Sequence, residues 1–329
     1  MKKVIIFVVL LSFLSQLIIK WPDKFLHIIA CDVGQGDAIL FKIGYFQALI
    51  DVGPDERVLN CLNNHLPFWD KKIDLLVLTH FDDDHIGGFR NLSQIYAIKY
   101  LFLPLTAYKD SEAFLELKTQ IASIQSLGTV VKEPFLGQQI AFSEFSHEYQ
   151  AKYNSINQEL LFSFITPFEL DLEEYESLES RKLFLWQKPE NYLSAEEFKK
   201  LAYKISDNNG SIAILSQFGN MKILLLGDLE STRELAIVSA GLITDIDIQK
   251  IGHHGSKTST SMEIISKAQP EIALISCGLN NKFGHPNKEV LDNLESSEAQ
   301  VLRTDELGDV EIIGDGQKFW LKDKKQSLF

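Results

Sequence analysis

Short apolar runs, each closed by a turn signal, recur along the chain and predict a strand-rich fold. From Lys24, FLHIIAC leads into DVGQGD, then AILFKI, a turn at Gly44, and FQALID ending at Asp51. These are strands of a meander at the start of a sheet. Val52-Gly53-Pro54 breaks it, a helix follows, and Ile73 to Thr79 (IDLLVLT) reads as a buried strand. Tyr100 to Leu103 reads as another. Ser111 caps a helix whose Phe114, Leu115, Leu117, Ile121 and Ile124 recur at helical spacing, with Gly128 past its end. Val130-Val131 and Ile140 to Phe142 suggest hairpin strands.

Between about Ser143 and Ile205 the pattern loses its regularity, and this stretch is read as an insert. Its acidic cluster (Glu169, Asp171, Glu173, Glu174, Glu176, Glu179) reads as a solvated face, and Ser194 to Lys204 as a helix. Regularity returns at SDNNGSIAIL (Ser206 to Leu215) and MKILLLGDLE (Met221 to Glu230), followed by a helix from Ser231 and a strand IDIQKIG. His253-His254-Gly255-Ser256 comes next, then a helix from about Ser261 that stops before Pro270, a strand EIALISCG, and a loop from Asn280 to Pro286. Pro286 suits the first turn of a further helix. The chain closes on short strands with Gly turns. Two strand-rich halves with interspersed helices imply a layered α/β architecture.

Composition places few limits on this picture. The 329 residues, 45% hydrophobic and 23% charged, suffice for one large domain with a sizeable core. The formal net charge of −13 argues against passive, whole-surface binding to nucleic acid, though not against a nuclease whose cations are metals. Cys31, Cys61 and Cys277 form no CxxC spacing and no disulfide framework, and are expected to be buried small hydrophobes. Residues 4–19, nearly continuously apolar after Lys2-Lys3, read as a hydrophobic helix. With no small-x-small cleavage site before Trp21-Pro22, an uncleaved membrane anchor over residues 1–23 is favoured over a cleaved signal, with a core helix third. The lysines favour a cytoplasmic N-terminus and an external domain, an asymmetry blunted by Lys20 and Lys24.

Chemistry concentrates in LTHFDDDHIGG (Leu78 to Gly88). His80, Asp82, Asp84 and His85 put four metal-competent side chains within six residues, at the end of a buried strand. Mutual repulsion among the carboxylates, Asp83 included, calls for a cation. Residues 24–329 are thus expected to form a domain organised around a metal site.

The chain resembles the metallo-β-lactamase fold and, within it, the C-terminal domain of ComEC-type competence proteins. The resemblance is carried by DVGQGDAIL, LIDVG, LTHFDDDHIGG, DNNGSIAIL, ILLLGDLE, KIGHHGSKTSTS, NNKFGHP and RTDELGDVEI, in that order. It implies an αββα sandwich, here preceded by one hydrophobic helix. It also implies two divalent metal ions. His80 and Asp82 would serve one, Asp84 and His85 the second, Asp228 would bridge, and His253 would close the second site. Where the fold usually supplies a further histidine this chain has SDNNGS, so Asn208, with Asp207 as runner-up, is the expected weak or indirect ligand. Such oxygen-rich ligands suit Mn²⁺ or Mg²⁺, with Zn²⁺ an alternative.

Around this set, Asp84 is also read as catalytic, while His254 and His285 are read as contacting a substrate phosphate or protonating a leaving group. His285 reads equally as a capping or supporting residue. Gly255 and Ser256 offer backbone N–H groups to an anion. Asp37 is expected to approach the site, Asp51 to orient a ligand, and Asp32 and Thr79 to support loops. The function implied is a phosphodiesterase or nuclease acting on DNA during uptake, with a separate protein supplying the channel. The rival readings are a hydrolase of a small or cell-envelope phosphodiester and a non-catalytic, metal-stapled partner of a transport machine. β-Lactam hydrolysis is the weakest reading, since only the fold points to it.

Overall fold

A computed structural model describes residues 21–104, 111–145, 158–166 and 208–322. The expected anchor at residues 4–19, residue Asp207, the acidic cluster and the helix at Ser194 to Lys204 lie outside the described residues. No helix among the described residues is long and apolar enough to cross a membrane.

Two sheets pack face to face. The first, in chain order, holds β1 (Leu26–Ala30), β2 (Ile39–Ile43), β3 (Phe46–Ile50), β4 (Lys72–Val77), β5 (Ala97–Phe102), β6 (Val130–Lys132), β14 (Val310–Gly314) and β15 (Phe319–Leu321). Its spatial order is β15-β14-β1-β2-β3-β4-β5-β6. The second holds β7 (Gln139–Ala141), β8 (Leu160–Phe164), β9 (Ile214–Phe218), β10 (Met221–Leu225), β11 (Ile248–Lys250), β12 (Ile272–Ile275) and β13 (Gln300–Arg303), ordered β13-β12-β11-β10-β9-β8-β7. The expected hairpin of Val130-Val131 with Ile140 to Phe142 does not form. β6 pairs in parallel with β5, and β7 pairs antiparallel with β8, so the chain changes sheets between them. Nor is the middle stretch wholly an insert, because β8 lies between β7 and β9 in the second sheet.

Burial explains why so many strands read as unbroken apolar runs: both faces of each sheet are covered. One cluster fills the space between the sheets, with Leu26, Ile28, Phe41, Phe46 and Val77 from the first against Phe162, Phe164, Ile214, Ile223 and Leu274 from the second. Phe41 and Phe162 meet edge to face, their centroids 5.3 Å apart. The alternate residues Ile29, Leu40, Leu49 and Leu76 face Val58, Leu62, Phe89, Leu92, Phe114 and Leu117 of the outer helices. A third cluster packs Leu224, Ala273 and Ile275 against Ile237, Ile264, Ile265, Val290 and Leu294. Helix, sheet, sheet, helix is the αββα order.

Local signals set several helix starts. Ser111 accepts from the Phe114 N–H at 3.2 Å and begins Glu112–Ser126, while Ser261 accepts from the Ile264 N–H at 3.3 Å and begins Met262–Ala268. The helix after the Asn280 loop starts at Lys288 rather than Pro286, because the Asn287 side chain caps it through the Glu289 N–H. The expected three free cysteines also need correction. Cys31, just past β1, and Cys61, on the helix Arg57–His65, are joined in a disulfide, and Cys277 alone is a buried free thiol. Residues thirty apart in sequence meet because that helix packs across the face of β1, a tertiary contact that Cys spacing cannot reveal.

Candidate metal centre

Parallel strands converge where the two halves meet, and their carboxyl ends carry the chemistry. β3 leads to Asp51, and β4 through Thr79 to His80. β10 leads to Asp228, and β11 to His253 and His254. Glycines let these segments approach. A Cβ on Gly36 would lie 2.2 Å from the Asp84 carbonyl oxygen, and one on Gly88 equally close to that of Val52. The DVGQGD turn is thereby pressed against the HFDDDH run, and the Asp37 N–H donates to the Asp84 carbonyl at 3.2 Å.

Asp228 lies at the centre and is buried. Its Oδ1 is 3.2 Å from His85 Nε2, and its Oδ2 is 3.8 Å from His80 Nε2, 3.6 Å from His254 Nε2 and 3.7 Å from His253 Nε2. Asp82 Oδ1 stands 3.9 Å from His80 Nε2, and Asp84 Oδ2 3.3 Å from His254 Nε2. Each buried imidazole is held from behind. His85 Nδ1 donates to Asp51 Oδ2 at 2.8 Å, and Asp51 in turn accepts from the Thr79 N–H and hydroxyl, both at 2.7 Å. His254 Nδ1 donates to the Ser276 carbonyl at 2.9 Å, and His80 Nδ1 contacts the Thr79 hydroxyl at 3.0 Å. Each backing contact turns Nε2 toward Asp228.

The donors fit metal ions. His80 Nε2, His85 Nε2, His254 Nε2 and Asp228 Oδ1 are buried without hydrogen-bond partners, although they converge within a few ångströms. Desolvated polar atoms left unpaired in this way are costly unless a cation satisfies them. Among the described residues the mutually close ligand atoms include His80, His85 and Asp228 in one group and Asp84, His85 and His254 in another, with Asp82 beside His80 and Asp228 also beside His254.

Several residues stand apart from the sequence expectation. His254 rather than His253 lies beside Asp84 and His85, and the groups of mutually close ligand atoms contain His254 but not His253. Both residues take left-handed backbone angles, φ 47° and 54°, in a turn that sends the neighbouring side chains different ways. From the letters HHG alone the two are interchangeable. His253 sits at the rim, half-contacting Asn208, whose amide nitrogen is 3.4 Å from either ring nitrogen. Nor can the Ser256 N–H serve an incoming anion, because it already donates to the His253 carbonyl at 2.8 Å. Gly255, at φ +79°, packs instead against Pro286, which a Cβ would meet at 2.7 Å. His285 lies 5.7 Å, ring to ring, from His253. Asp32 stays at the turn, accepting from the Gly34 N–H at 3.2 Å.

One residue escaped sequence reading. Lys250, the last residue of β11, is buried and reaches across to the DVGQGD turn, its Nζ 2.8 Å from Asp37 Oδ2. The same ammonium donates to the Ile251 carbonyl at 2.8 Å. A lysine inside an apolar run (IDIQKIG) was the available signal, since Lys is rarely fully buried unless paired.

Charge states follow from this crowding. Burial by itself would lower the His254 pKa, but the carboxylates of Asp228 and Asp37 override it and raise it to about 10. His85 is likewise raised well above its ordinary value, Asp228 and Asp51 outweighing burial. Burial and the charge on His85 push His80 down. Asp84, despite its burial, is lowered to about 2 by His254 and His85. The metal-free protein therefore carries protonated His85 and His254 and a neutral His80 at pH 7. Loading the set built on His85 and His254 must expel their protons, so Mn²⁺ affinity rises with pH below about 10, by roughly tenfold per unit for each proton displaced. Calorimetric titration of the metal-free protein at pH 7, in two buffers of different ionisation enthalpy, checks this. Heats independent of the buffer would show that the imidazoles are already neutral.

Residues 31–118 match the model of the Metallo-beta-lactamase superfamily. The chain is 28% identical over 244 residues to ComE operon protein 3 of Bacillus subtilis, covering 73% of this chain and 24% of that protein. It is 36% identical over 107 residues to Recombination protein 2 of Haemophilus influenzae, covering 32% of this chain and 13% of that one. With competence protein ComA of Neisseria gonorrhoeae it shares 23% identity over 294 residues, 86% of this chain and 32% of that one. The chain thus spans a third or less of each relative's length. Among solved structures it is similar to the metallo-beta-lactamase fold protein YhfI of Bacillus subtilis, at 12% identity and TM-score 0.47, covering 90% of this chain and 100% of that one.

Proposed function

Because the chain carries a metallo-β-lactamase superfamily domain similar to those of competence proteins, we propose that this hydrolase cleaves phosphodiesters, with DNA as its substrate during uptake. One observation carries the reading: the unpartnered Nε2 atoms of His80, His85 and His254 converge with Asp228 Oδ1 among the carboxylates of Asp82 and Asp84. His80 and Asp82 would hold one ion, Asp84, His85 and His254 the second, and Asp228 both. Asn208 stands beside His253 at the rim. The oxygen-rich donors favour Mn²⁺ or Mg²⁺, with Zn²⁺ as the alternative. When bound, such ions supply Lewis acidity and an activated water.

The protein's own groups do the positioning. Asp51 fixes the ring of His85 and Ser276 that of His254, so neither imidazole has to reorganise as charge develops. His253 and His285 line the open side. Burial and the neighbouring His253 and His254 lower the His285 pKa, so at neutral pH it serves better as a neutral hydrogen-bonding group than as an acid. The Cys31–Cys61 disulfide supports an oxidising, external location, with residues 4–19 as the anchor and a separate protein supplying the channel.

The test incubates the purified protein with labelled single- and double-stranded DNA and Mn²⁺, Zn²⁺ or Mg²⁺, beside the Asp84→Ala/His85→Ala variant. Metal-dependent cleavage lost in the variant supports the reading. A folded, metal-loaded protein that cleaves only a small phosphodiester would instead move the substrate to a small or cell-envelope ester, a reading that the net charge of −13 favours.

A further inference from the structure

A line of rings leads outward from Asp228. His253 Nε2 is 3.7 Å from the carboxylate, the His285 ring is 5.7 Å from that of His253, and Phe283 stacks on His285 at 5.7 Å and 23°. The last ring is not sheltered: Phe283 is 55% exposed. Its loop neighbour Lys282 holds an ammonium 4.9 Å from the Phe283 centroid. A phenyl ring left in water beside a hydrolytic centre, with the ammonium of an exposed lysine lying over it, has the chemistry of a surface on which a nucleobase stacks once that ammonium swings from the ring to the strand's phosphate.

The loop is built to hold that ring still. The Asn281 amide nitrogen donates to the carbonyls of Gly278, at 2.9 Å, and His285, at 2.6 Å. Its oxygen accepts from the N–H groups of Phe283, at 3.2 Å, and His285, at 3.0 Å. The Asn287 N–H then ties the loop to the histidine turn through the Gly255 carbonyl at 2.8 Å. One side chain thus braces both ends of a short loop, and the exposed ring does not have to be ordered when a substrate arrives.

We propose that Phe283 and Lys282 form a stacking platform for an unpaired nucleobase, a nucleotide or two from the phosphodiester cleaved at the Asp228 centre. The proposal rests on the nuclease reading above and narrows it: the substrate is single-stranded DNA. A base within a duplex has both faces stacked already and cannot use the ring. The platform also reconciles a strongly acidic protein with a polyanion, because stacking supplies affinity that the net charge withholds.

The test uses the full chain with Mn²⁺ and fluorescent single-stranded oligonucleotides, intact or bearing one abasic residue stepped across the positions flanking cleavage. With the native protein, one abasic position raises KM roughly tenfold, the order of one base–aromatic stack. Phe283→Ala raises KM for the intact strand by a similar factor and is indifferent to the abasic residue. Phe283→Trp restores the discrimination, which excludes misfolding as the cause. An abasic penalty equally large in Phe283→Ala, or a KM within twofold of native, overturns the platform and leaves the nuclease reading standing. Failure of the native protein to cleave any oligonucleotide overturns both.

Discussion

Asp228→Asn is expected to abolish metal-dependent hydrolysis, by on the order of 10³-fold or more, and to leave at most one bound ion per chain. The substitution keeps the shape of the side chain and the backbone N–H that donates to the Ser211 hydroxyl at 3.2 Å, so the turn after β10 should survive. What it removes is a negative charge within 3.2 to 3.8 Å of the Nε2 atoms of His80, His85, His253 and His254. An amide presents one oxygen and a positive amino end, and cannot bridge two cations as a carboxylate does. The loss should exceed that from Asp51→Asn, which disturbs only the group behind His85 and is expected to cost about 10- to 100-fold. Elemental analysis of the two purified variants, beside initial rates on one phosphodiester, ranks them. If Asp228→Asn kept more than a tenth of native activity with two ions bound, Asp228 would not be the bridging group.

That centre was legible in the sequence to an uneven degree. His80, Asp82, Asp84 and His85 could be read together as candidate ligands because they are local, packed into six residues after a buried strand. Asp51 and Asp228 could be read because each closes an apolar run, where a strand hands over to a loop. The choice between His253 and His254 could not, since it depends on two successive left-handed residues in a turn that no pattern of apolar positions records. The strands were likewise visible as apolar runs, whereas their division between two sheets was not. Val130 and Ile140 show similar local patterns, yet they enter different sheets. The Cys31–Cys61 bond was hidden for the same reason: helix-on-sheet packing brings the two residues together.

Lys250 gives the second large effect, this time on stability. It contributes one of the largest fully buried side chains among the described residues, and its ammonium meets Asp37 at 2.8 Å with both groups almost wholly removed from water. Burial would raise the Asp37 pKa, but the charges of Lys250 and His254 override it and hold the carboxyl well below the usual range. Asp37 is therefore ionised at pH 7 and depends on those cations. Lys250→Met preserves the length and apolar body of the side chain but strands the carboxylate. Breaking one partner out of a buried pair typically costs about 3–5 kcal/mol. Metal affinity should fall as well, because Asp37 Oδ1 lies 3.3 Å from His254 Nδ1, and the Gly53 N–H donates to the Asp37 carbonyl at 2.8 Å. Lys250→Met/Asp37→Asn removes both charges together and should recover more than half of the lost stability, since a paired ion buried without water is itself of little net benefit. Urea denaturation of the native protein, both single variants and the double variant gives the coupling directly. Additive losses would mean that Asp37 and Lys250 do not depend on each other. A strongly coupled pair would show that the DVGQGD turn is fastened to β11 from beneath, which keeps the two halves of the centre in register.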